Sequence, residues 1–168
     1  MLACLDLEGV LLPEIWIKFA EKTGIEELKL TTRDIPDYDQ LMKNRLEILK
    51  QYNLKLKDIQ NVINTLSPLD GAYEFLSWLK SEFQVIILSD TFYEFAQPLM
   101  QQLDFPTLFC HKLITNSSGD IVNYKLRQKD QKTKAVKALQ GLNFQVISAG
   151  DSYNDCLLYT SPSPRDRG

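Results

Sequence analysis

The first ten residues constrain the fold of this chain more than any other stretch. Residues 2–7 form a short, almost wholly apolar run that Asp6 interrupts and that Gly9 ends. A run of this kind is typical of a strand that is buried on both faces of a parallel sheet. Asp6 and Glu8 then lie at the carboxyl end of the strand, where open α/β sheets bind their ligands. Because a buried charge is costly unless it is paired or bound to a metal, Asp6 either caps the following turn or belongs to a ligand site.

Length, charge and cysteine usage limit the class of protein. The chain has 168 residues, enough for one domain with a sizeable core. Its net charge of −3 disfavours a nucleic acid or an anionic membrane as a partner, and no stretch is long enough to cross a bilayer. The three cysteines show no metal-ligand spacing, so we expect reduced thiols and a cytoplasmic protein. The sequence predicts no particular oligomeric state.

The order of the predicted elements indicates an α/β protein with an insertion. Residues 14–66 show helical spacing of apolar side chains, whereas strands and helices alternate from residue 67 onward. The predicted strands after the first lie at 84–88, 107–110 and 145–149, the helices at 14–22, 38–52, 56–66, 72–80, 92–103 and 133–139, and a hairpin turn at 116–120. We expect a doubly wound parallel sheet built from residues 1–13 and 67–155, with residues 14–66 as an inserted helical subdomain.

Polar side chains follow three of the predicted strands, and a basic segment opens one helix: Asp6 and Glu8, Ser89, Asp151 and Asp155, and residues 129–132. In a doubly wound sheet these strand ends converge on one crevice. Carboxylates packed there would repel one another unless a divalent cation lay among them, and oxygen ligands without histidine or cysteine suit Mg²⁺. Ser89 at a helix start, with a lysine nearby, would bind a phosphate group. The sequence therefore predicts a Mg²⁺ site next to a phosphate site.

These four segments, in this order, resemble the four motifs of the haloacid dehalogenase (HAD) superfamily, whose enzymes act through an aspartyl-phosphate. Within it the chain is most similar to the phosphoserine phosphatase branch, and there to the phosphoserine/homoserine phosphotransferase family. The stretches that carry this closer resemblance are Cys-Leu-Asp-Leu-Glu-Gly, Pro-Glu-Ile-Trp-Ile, Thr-Thr-Arg-Asp-Ile-Pro-Asp-Tyr-Asp and Ile-Leu-Ser-Asp-Thr-Phe-Tyr-Glu-Phe. The resemblance implies a HAD-type fold in which residues 14–66 form a small cap. It also implies an enzyme of serine or threonine biosynthesis whose partner is a small phospho-amino acid.

The resemblance also implies catalytic and metal-binding roles. Asp6 would be the nucleophile that forms the aspartyl-phosphate. Glu8 would protonate the leaving alkoxide and then activate the acceptor as a base. Asp6, the backbone carbonyl of Glu8, and Asp151 would bind Mg²⁺, while Asp155 would orient the groups around the metal. Lys132 would neutralise charge on the phosphate and the nucleophile, although Lys129 competes for that role.

Substrate-binding roles follow from the same resemblance. Ser89 would bind a phosphate oxygen, and Asp90 would contribute its backbone N–H. Glu14 would bind the ammonium group of the amino acid, and Arg45 its carboxylate in a bidentate pair. Asn154 is a further candidate for contact with the substrate. Ordinary surface charges, or an ion pair within the cap, are the alternative interpretation of the two cap residues.

Five residues that could carry chemistry are predicted to be structural. His111 is the only histidine, and no further metal-ligand residues lie near Cys110 and His111 at the spacing of a metal site. Trp16, Phe19 and Trp78 are expected in the hydrophobic core rather than around the substrate.

The end of the chain differs in character from the rest. Residues 156–168 show no periodicity, and residues 156–166 resemble the translation of a sequencing-library adapter. We therefore expect a non-native tail and exclude it from the fold prediction. The sheet would also lack a helix to cover its last predicted strand, which indicates a C-terminally truncated chain whose natural form continues past Asp155.

Two other functions are compatible with the sequence. A non-catalytic aspartate phospho-acceptor also has an Asp at a strand end, although Glu8 and the helical insertion are not typical of such domains. An inactive relative that only binds its ligand is the second alternative. Residue chemistry does not separate a phosphatase that uses water from a phosphotransferase that uses homoserine, and only the family resemblance favours the latter.

Overall fold

In the computed structural model the described part of the chain comprises residues 1–150. Its five strands are β1 (Leu2–Leu5), β2 (Gln84–Phe92), β3 (Leu108–Thr115), β4 (Ile121–Lys125) and β5 (Val146–Ala149). They form one sheet in the order β4-β3-β2-β1-β5. All neighbours are parallel except β3 and β4, which form the predicted antiparallel hairpin. β1 therefore lies between two parallel neighbours, as a strand that is apolar on both faces requires.

Helices cover both faces of this sheet. On one face Ala3 and Leu5 pack into a large cluster with residues of α4 (Ala72–Glu82) and α5 (Tyr93–Met100). On the other face Leu2 and Cys4 pack against Val136 of α6 (Gln131–Gly141). The alternation of β1 side chains between two clusters confirms the doubly wound parallel sheet.

The insertion between β1 and α4 is helical. It contains α1 (Ile15–Thr23), a 3₁₀ turn at Glu26–Lys29, α2 (Tyr38–Gln51) and α3 (Leu56–Ile63). We call α1, α2 and α3 the cap helices. Gly24 ends α1 with a φ of 74°, a conformation that glycine adopts without strain. The boundaries of a cap at residues 14 and 66 stay a prediction. None of the helices within residues 1–150 is both long and apolar enough to cross a membrane.

The cap helices contact the β3–β4 hairpin at the start of α2 and near the start of α3. The Tyr124 hydroxyl of β4 donates to the Asp39 carboxylate in the first turn of α2. Lys55 Nζ lies 2.9 Å from Asp120 Oδ1 in the hairpin turn, and the Leu56 N–H donates to the Gly119 carbonyl at 3.1 Å. The hairpin thus connects two helices of the insertion to the sheet.

Two of the differences between predicted and observed element bounds affect predicted site residues. β2 continues to Phe92, four residues beyond the predicted end, because the Phe92 side chain is buried in the core and its backbone pairs with His111. Ser89 therefore lies in a strand, and the expectation that it lies at a helix start is wrong. α6 begins at Gln131 instead of residue 133, so Lys132 lies in the first turn of the helix.

Trp78 was expected in the core, and this expectation is wrong. Its side chain is 55% exposed on α4, where it contacts Phe75. α4 buries Ala72, Leu76 and Leu79. This spacing defines one helix face, and Trp78 lies outside it.

Candidate active site

Asp6 directly follows β1, the strand that lies between β2 and β5. Its backbone N–H donates to the Ala149 carbonyl at 3.0 Å, which joins the ends of β1 and β5. Asp6 Oδ1 accepts the Leu7 N–H at 2.7 Å, and Oδ2 accepts from Lys132 Nζ at 3.1 Å. Both members of this ion pair are only 10% exposed. The end of β1 therefore presents a carboxylate whose negative charge is matched by a lysine from α6.

Glu8 is positioned by a tight turn directly after Asp6. The Leu7 carbonyl accepts the N–H groups of Leu11 and Leu12, and Gly9 has a φ of 80°. This turn lets Glu8 Oε1 accept the N–H of Ile15 at 2.9 Å. Burial raises the pKa of Glu8 to about 7, although the Ile15 hydrogen bond acts in the opposite direction. A carboxyl group with a pKa near neutrality can both donate and accept a proton in one reaction cycle.

Ser89 lies across the crevice from β1, near the end of β2. Its side chain is 1% exposed, and its Oγ accepts the Thr91 N–H at 3.2 Å. Residues 89–91 fall where the pairing of β2 and β3 is irregular. We call these three residues the β2 bulge. Such irregularities are common next to active sites, because they redirect side chains and free backbone groups.

Asp90, in the middle of the β2 bulge, is held by side chains from two other elements. Tyr38 of α2 donates its hydroxyl to the Asp90 carbonyl at 2.7 Å. His111 Nδ1 accepts the Arg127 N–H at 2.8 Å, so its ring proton is on Nε2, which lies 3.1 Å from Asp90 Oδ1. His111 Nε2 therefore donates to the Asp90 carboxylate. His111, predicted to be structural, orients a residue of the candidate site.

Arg45 is a buried residue of α2 that lines the cavity. Its side chain is 7% exposed, its Nη2 donates to the Leu30 carbonyl at 2.9 Å, and its guanidinium lies 4.7 Å from the centre of the Trp16 ring. Burial lowers the pKa of Arg45 to about 10, while the carboxylates of Glu8 and Glu14 act in the opposite direction. Arg45 is thus not a surface charge. Glu14, half-buried, lines the same cavity.

One cavity of about 950 Å³ connects these groups. Seven predicted site residues line it: Asp6, Glu8, Glu14, Arg45, Ser89, Asp90 and Lys132. The other three, Asp151, Asn154 and Asp155, lie outside the described residues. The structure therefore brings together every predicted site residue that it describes.

The cavity is also lined by Tyr38, Tyr124 and Gln131, which the sequence did not single out, and by His111, which was predicted to be structural. Each reaches the site through contacts with residues distant in the sequence, such as Tyr38 with Asp90, 52 positions apart. No local spacing marks such residues. The only available signal was the location of Gln131 directly before Lys132 in the predicted phosphate-binding segment.

The described donors suit a hard cation better than a soft one. Asp6 and the backbone carbonyl of Glu8 offer oxygen atoms, which Mg²⁺ prefers. Burial raises the pKa of Cys4 to about 11 and that of Cys110 to about 12, which disfavours the thiolate form that binds metals. Within residues 1–150 no group of three or more His, Cys, Asp or Glu side chains is arranged to hold a metal, and the third predicted ligand, Asp151, follows that range.

Residues 2–157 match the family model of the haloacid dehalogenase-like hydrolases. The chain is 67% identical over 154 residues to a phosphoserine phosphatase of Pseudomonas syringae pv. tomato, covering 92% of this chain and 65% of that protein. It is 68% identical over 154 residues to the phosphoserine phosphatase ThrH of Pseudomonas aeruginosa, covering 92% and 75%. The chain thus spans just under two thirds of the length of the first of these relatives.

A solved structure supports the same fold assignment. The phospho-aspartyl intermediate analogue of a phosphoserine phosphatase superposes with a TM-score of 0.72 at 20% identity, over 92% of this chain and 79% of that one. At this identity the superposition shows the fold alone. The match of the family model covers nearly the whole sequence, and two relatives are more than 60% identical. The chain belongs to the haloacid dehalogenase-like hydrolase family.

Proposed function

We propose that this protein removes the phosphate from phosphoserine through an aspartyl-phosphate on Asp6. One observation carries the proposal: the Asp6 carboxylate, paired at 3.1 Å with Lys132, lies in a cavity that is also lined by Glu8 and Ser89. The names of the two Pseudomonas relatives support phosphoserine as the substrate. The aspartyl-phosphate chemistry is that of the family resemblance.

The residues divide the reaction into two displacements. An Asp6 oxygen attacks phosphorus, and the bond between phosphorus and the serine oxygen breaks. Glu8 gives its proton to that oxygen, which its raised pKa allows near neutrality. Glu8 then takes a proton from water as the water attacks the aspartyl-phosphate, and Asp6 is released with inorganic phosphate. Lys132 compensates negative charge on Asp6 and on the phosphoryl group in both steps.

Asp6 and the Glu8 carbonyl would hold Mg²⁺, with Asp151 as a third ligand. When bound, the metal would neutralise charge on the phosphate oxygens. Ser89 Oγ and the Asp90 N–H would bind the same oxygens at the end of β2. The irregular pairing of the β2 bulge supports this role, since it frees backbone groups for a ligand.

The amino-acid end of the substrate would bind beneath the cap helices. Arg45 offers a buried guanidinium that would bind the carboxylate, and Glu14 would bind the ammonium group. The Trp16 ring lies against one side of Arg45 and restricts where the guanidinium can point. This arrangement would select a phospho-amino acid over a simple phosphate ester.

Homoserine is a second candidate acceptor for the phosphoryl group. The cavity, at about 950 Å³, is near the upper end of the roughly 300–1,000 Å³ of sites that bind drug-sized ligands. Phosphoserine is smaller than such ligands, so a second amino acid would have room to enter. Transfer to homoserine would use the same aspartyl-phosphate, with the homoserine hydroxyl in place of water.

The test is turnover of phosphoserine by the purified protein with Mg²⁺ or with EDTA, with and without homoserine. We expect Mg²⁺-dependent release of inorganic phosphate, and phosphohomoserine visible by ³¹P NMR when homoserine is present. A long-lived acyl-phosphate without turnover would instead show a phospho-acceptor domain. Binding of phosphoserine with neither product would show an inactive relative, and either result would refute the proposed enzyme.

A further inference from the structure

Gln131 is a buried polar residue immediately before Lys132 in the first turn of α6. Its side chain is 3% exposed. Its Nε2 donates to the Ser89 carbonyl at 2.5 Å and lies 3.4 Å from the Phe109 carbonyl. The two acceptors belong to the neighbouring strands β2 and β3. A single carboxamide therefore bridges two strands of the sheet next to the candidate phosphate site.

This bridge lies where the β2–β3 pairing is interrupted. Leu88 pairs with Phe109 and Phe92 with His111, so the three residues of the β2 bulge face only Cys110. Backbone carbonyls at such an interruption need partners from elsewhere, because buried polar groups are costly when unpaired. The two N–H groups of Gln131 supply donors for one carbonyl from each strand.

The orientation of the Gln131 amide follows from its surroundings. Both neighbours of Nε2 are carbonyl oxygens, which only the nitrogen end of the amide can face. The Oε1 atom is buried and has no hydrogen-bond partner within residues 1–150. An apolar side chain of similar length would have no such oxygen and would not leave a buried acceptor unpaired. The two donated contacts are therefore the contribution that only the amide makes at this position.

α6 meets the sheet through apolar packing of Val136 and through two polar residues at its start. Its buried residues are Gln131, Lys132 and Val136. Lys132 joins the helix to Asp6 at the end of β1, and Gln131 joins it to Ser89 near the end of β2. Two neighbouring residues thus fix the start of α6 relative to both strand ends.

We infer that Gln131 is a positioning residue, which holds the β2 bulge and Lys132 at the spacing that a phosphoryl group requires. The inference rests on the proposed function, in which Ser89 and Lys132 bind the same phosphoryl group. Gln131 acts through these two residues and takes no part in proton or phosphoryl transfer. A misplacement of about 1 Å can reduce a catalysed rate by roughly a hundredfold.

The first experiment replaces Gln131 by methionine, which has a similar length and no N–H donor. We expect Gln131→Met to lower kcat for phosphoserine by about tenfold or more. KM should change much less, since Glu14 and Arg45 are untouched. Gln102→Met is the matched control: it removes a Gln side-chain contact with the Leu66 carbonyl, at 3.5 Å, outside the cavity. An unchanged kcat in Gln131→Met would overturn the inference.

A double-mutant cycle separates positioning from a general structural effect. If Gln131 acts through Ser89, Gln131→Met should cost much less in a Ser89→Ala background than in the wild type. Equal fold losses in the two backgrounds would refute action through Ser89. If Gln131→Met does not fold, Gln131→Asn replaces it, because the amide is retained but is one methylene too short to reach Ser89. Full activity of Gln131→Asn would also overturn the inference.

A measurement without turnover distinguishes this inference from the proposed function. Backbone hydrogen exchange at residues 89–92 should be faster in Gln131→Met than in the wild type, with exchange in α4 unchanged. Faster exchange would support the positioning contact even if the wild type did not hydrolyse phosphoserine. A lack of hydrolysis by the wild type would by itself refute only the proposed function. Unchanged exchange at residues 89–92 would refute the positioning contact.

Discussion

The ion pair of Asp6 and Lys132 joins the proposed nucleophile to the lysine proposed to compensate its charge. The two side chains are each 10% exposed, so water screens their attraction less than at the surface. Removing one member of such a pair leaves the other charge without compensation. The least disruptive change at this contact keeps the shape of the side chain and removes only its charge.

Asp6→Asn makes that change and should abolish the phosphatase activity. The amide cannot act as the carboxylate nucleophile, so we expect a loss of several orders of magnitude, as for other residues of catalytic units. Phosphate release from phosphoserine measures it, with Asp70→Asn, an exposed carboxylate outside the cavity, as the control. If Asp6→Asn kept even a tenth of the wild-type rate, Asp6 would not be the nucleophile.

Arg45→Ala should change substrate preference. Loss of one partner of a desolvated ionic contact costs about 2–5 kcal/mol. We therefore expect a much higher KM for phosphoserine and little change for phenyl phosphate, which has no amino-acid end. Lys50→Ala, which removes an exposed positive charge from the same helix, is the control. Equal losses on both substrates would assign Arg45 a structural role.

α2 is the element that connects the cap helices to the rest of the site. It carries Arg45, and its first residue, Tyr38, contacts the β2 bulge. The Asp37 carboxylate caps the helix by accepting the Gln40 N–H at 3.1 Å. The Asp37 side chain therefore satisfies one of the backbone N–H groups that the start of a helix leaves unpaired.

Asp37→Ala should weaken the first turn of α2. The loss of an N-cap side chain costs about 0.5–2 kcal/mol of the free energy of unfolding. Asp37→Asn keeps an acceptor at the same position and should lose much less. Urea denaturation of both variants measures the difference. Equal destabilisation by Ala and Asn would show that the charge of Asp37, and not its capping bond, stabilises the helix.

At the scale of the whole molecule, the cap helices and the sheet share one hydrophobic core. Phe19, Met42 and Ile59 of the cap helices belong to the same buried cluster as Ala3 and Leu5 of β1. A division of the sequence into cap and core therefore does not imply two independent folding units. Domains that share a core unfold together.

Ile59→Ala tests this cooperativity. Ile59 is fully buried in α3, and truncation of such a side chain costs about 2–5 kcal/mol. We expect one unfolding transition, at a lower urea concentration than in the wild type, with coincident curves from tryptophan fluorescence and far-UV circular dichroism. Val122→Ala, at an exposed position of β4, is the control. A separate early transition would show that the cap helices unfold alone.

The sequence predicted the sheet and the cavity because their signals are local. An apolar run followed by Asp6 marks a strand end, and helical spacing marks the insertion. It placed Ser89 at a helix start because it assigned Phe92 to the helix predicted at 92–103 and not to the strand. The pairing of Phe92 with His111 decides between them. His111 gave no signal of a role in the site, and Gln131 gave only its place before Lys132, since their partners lie 21 and 42 positions away.

Cys4 and Cys110 make the folded state measurable by simple chemistry. Both are buried, and burial raises the pKa of both thiols above 9, so little reactive thiolate exists near neutral pH. Iodoacetamide should therefore modify them only when the surrounding strands open. Cys4 lies on β1, and Cys110 lies on β3 beside the β2 bulge. Peptide mass spectrometry of timed alkylation would thus report separately on the opening of the sheet and of the candidate phosphate site.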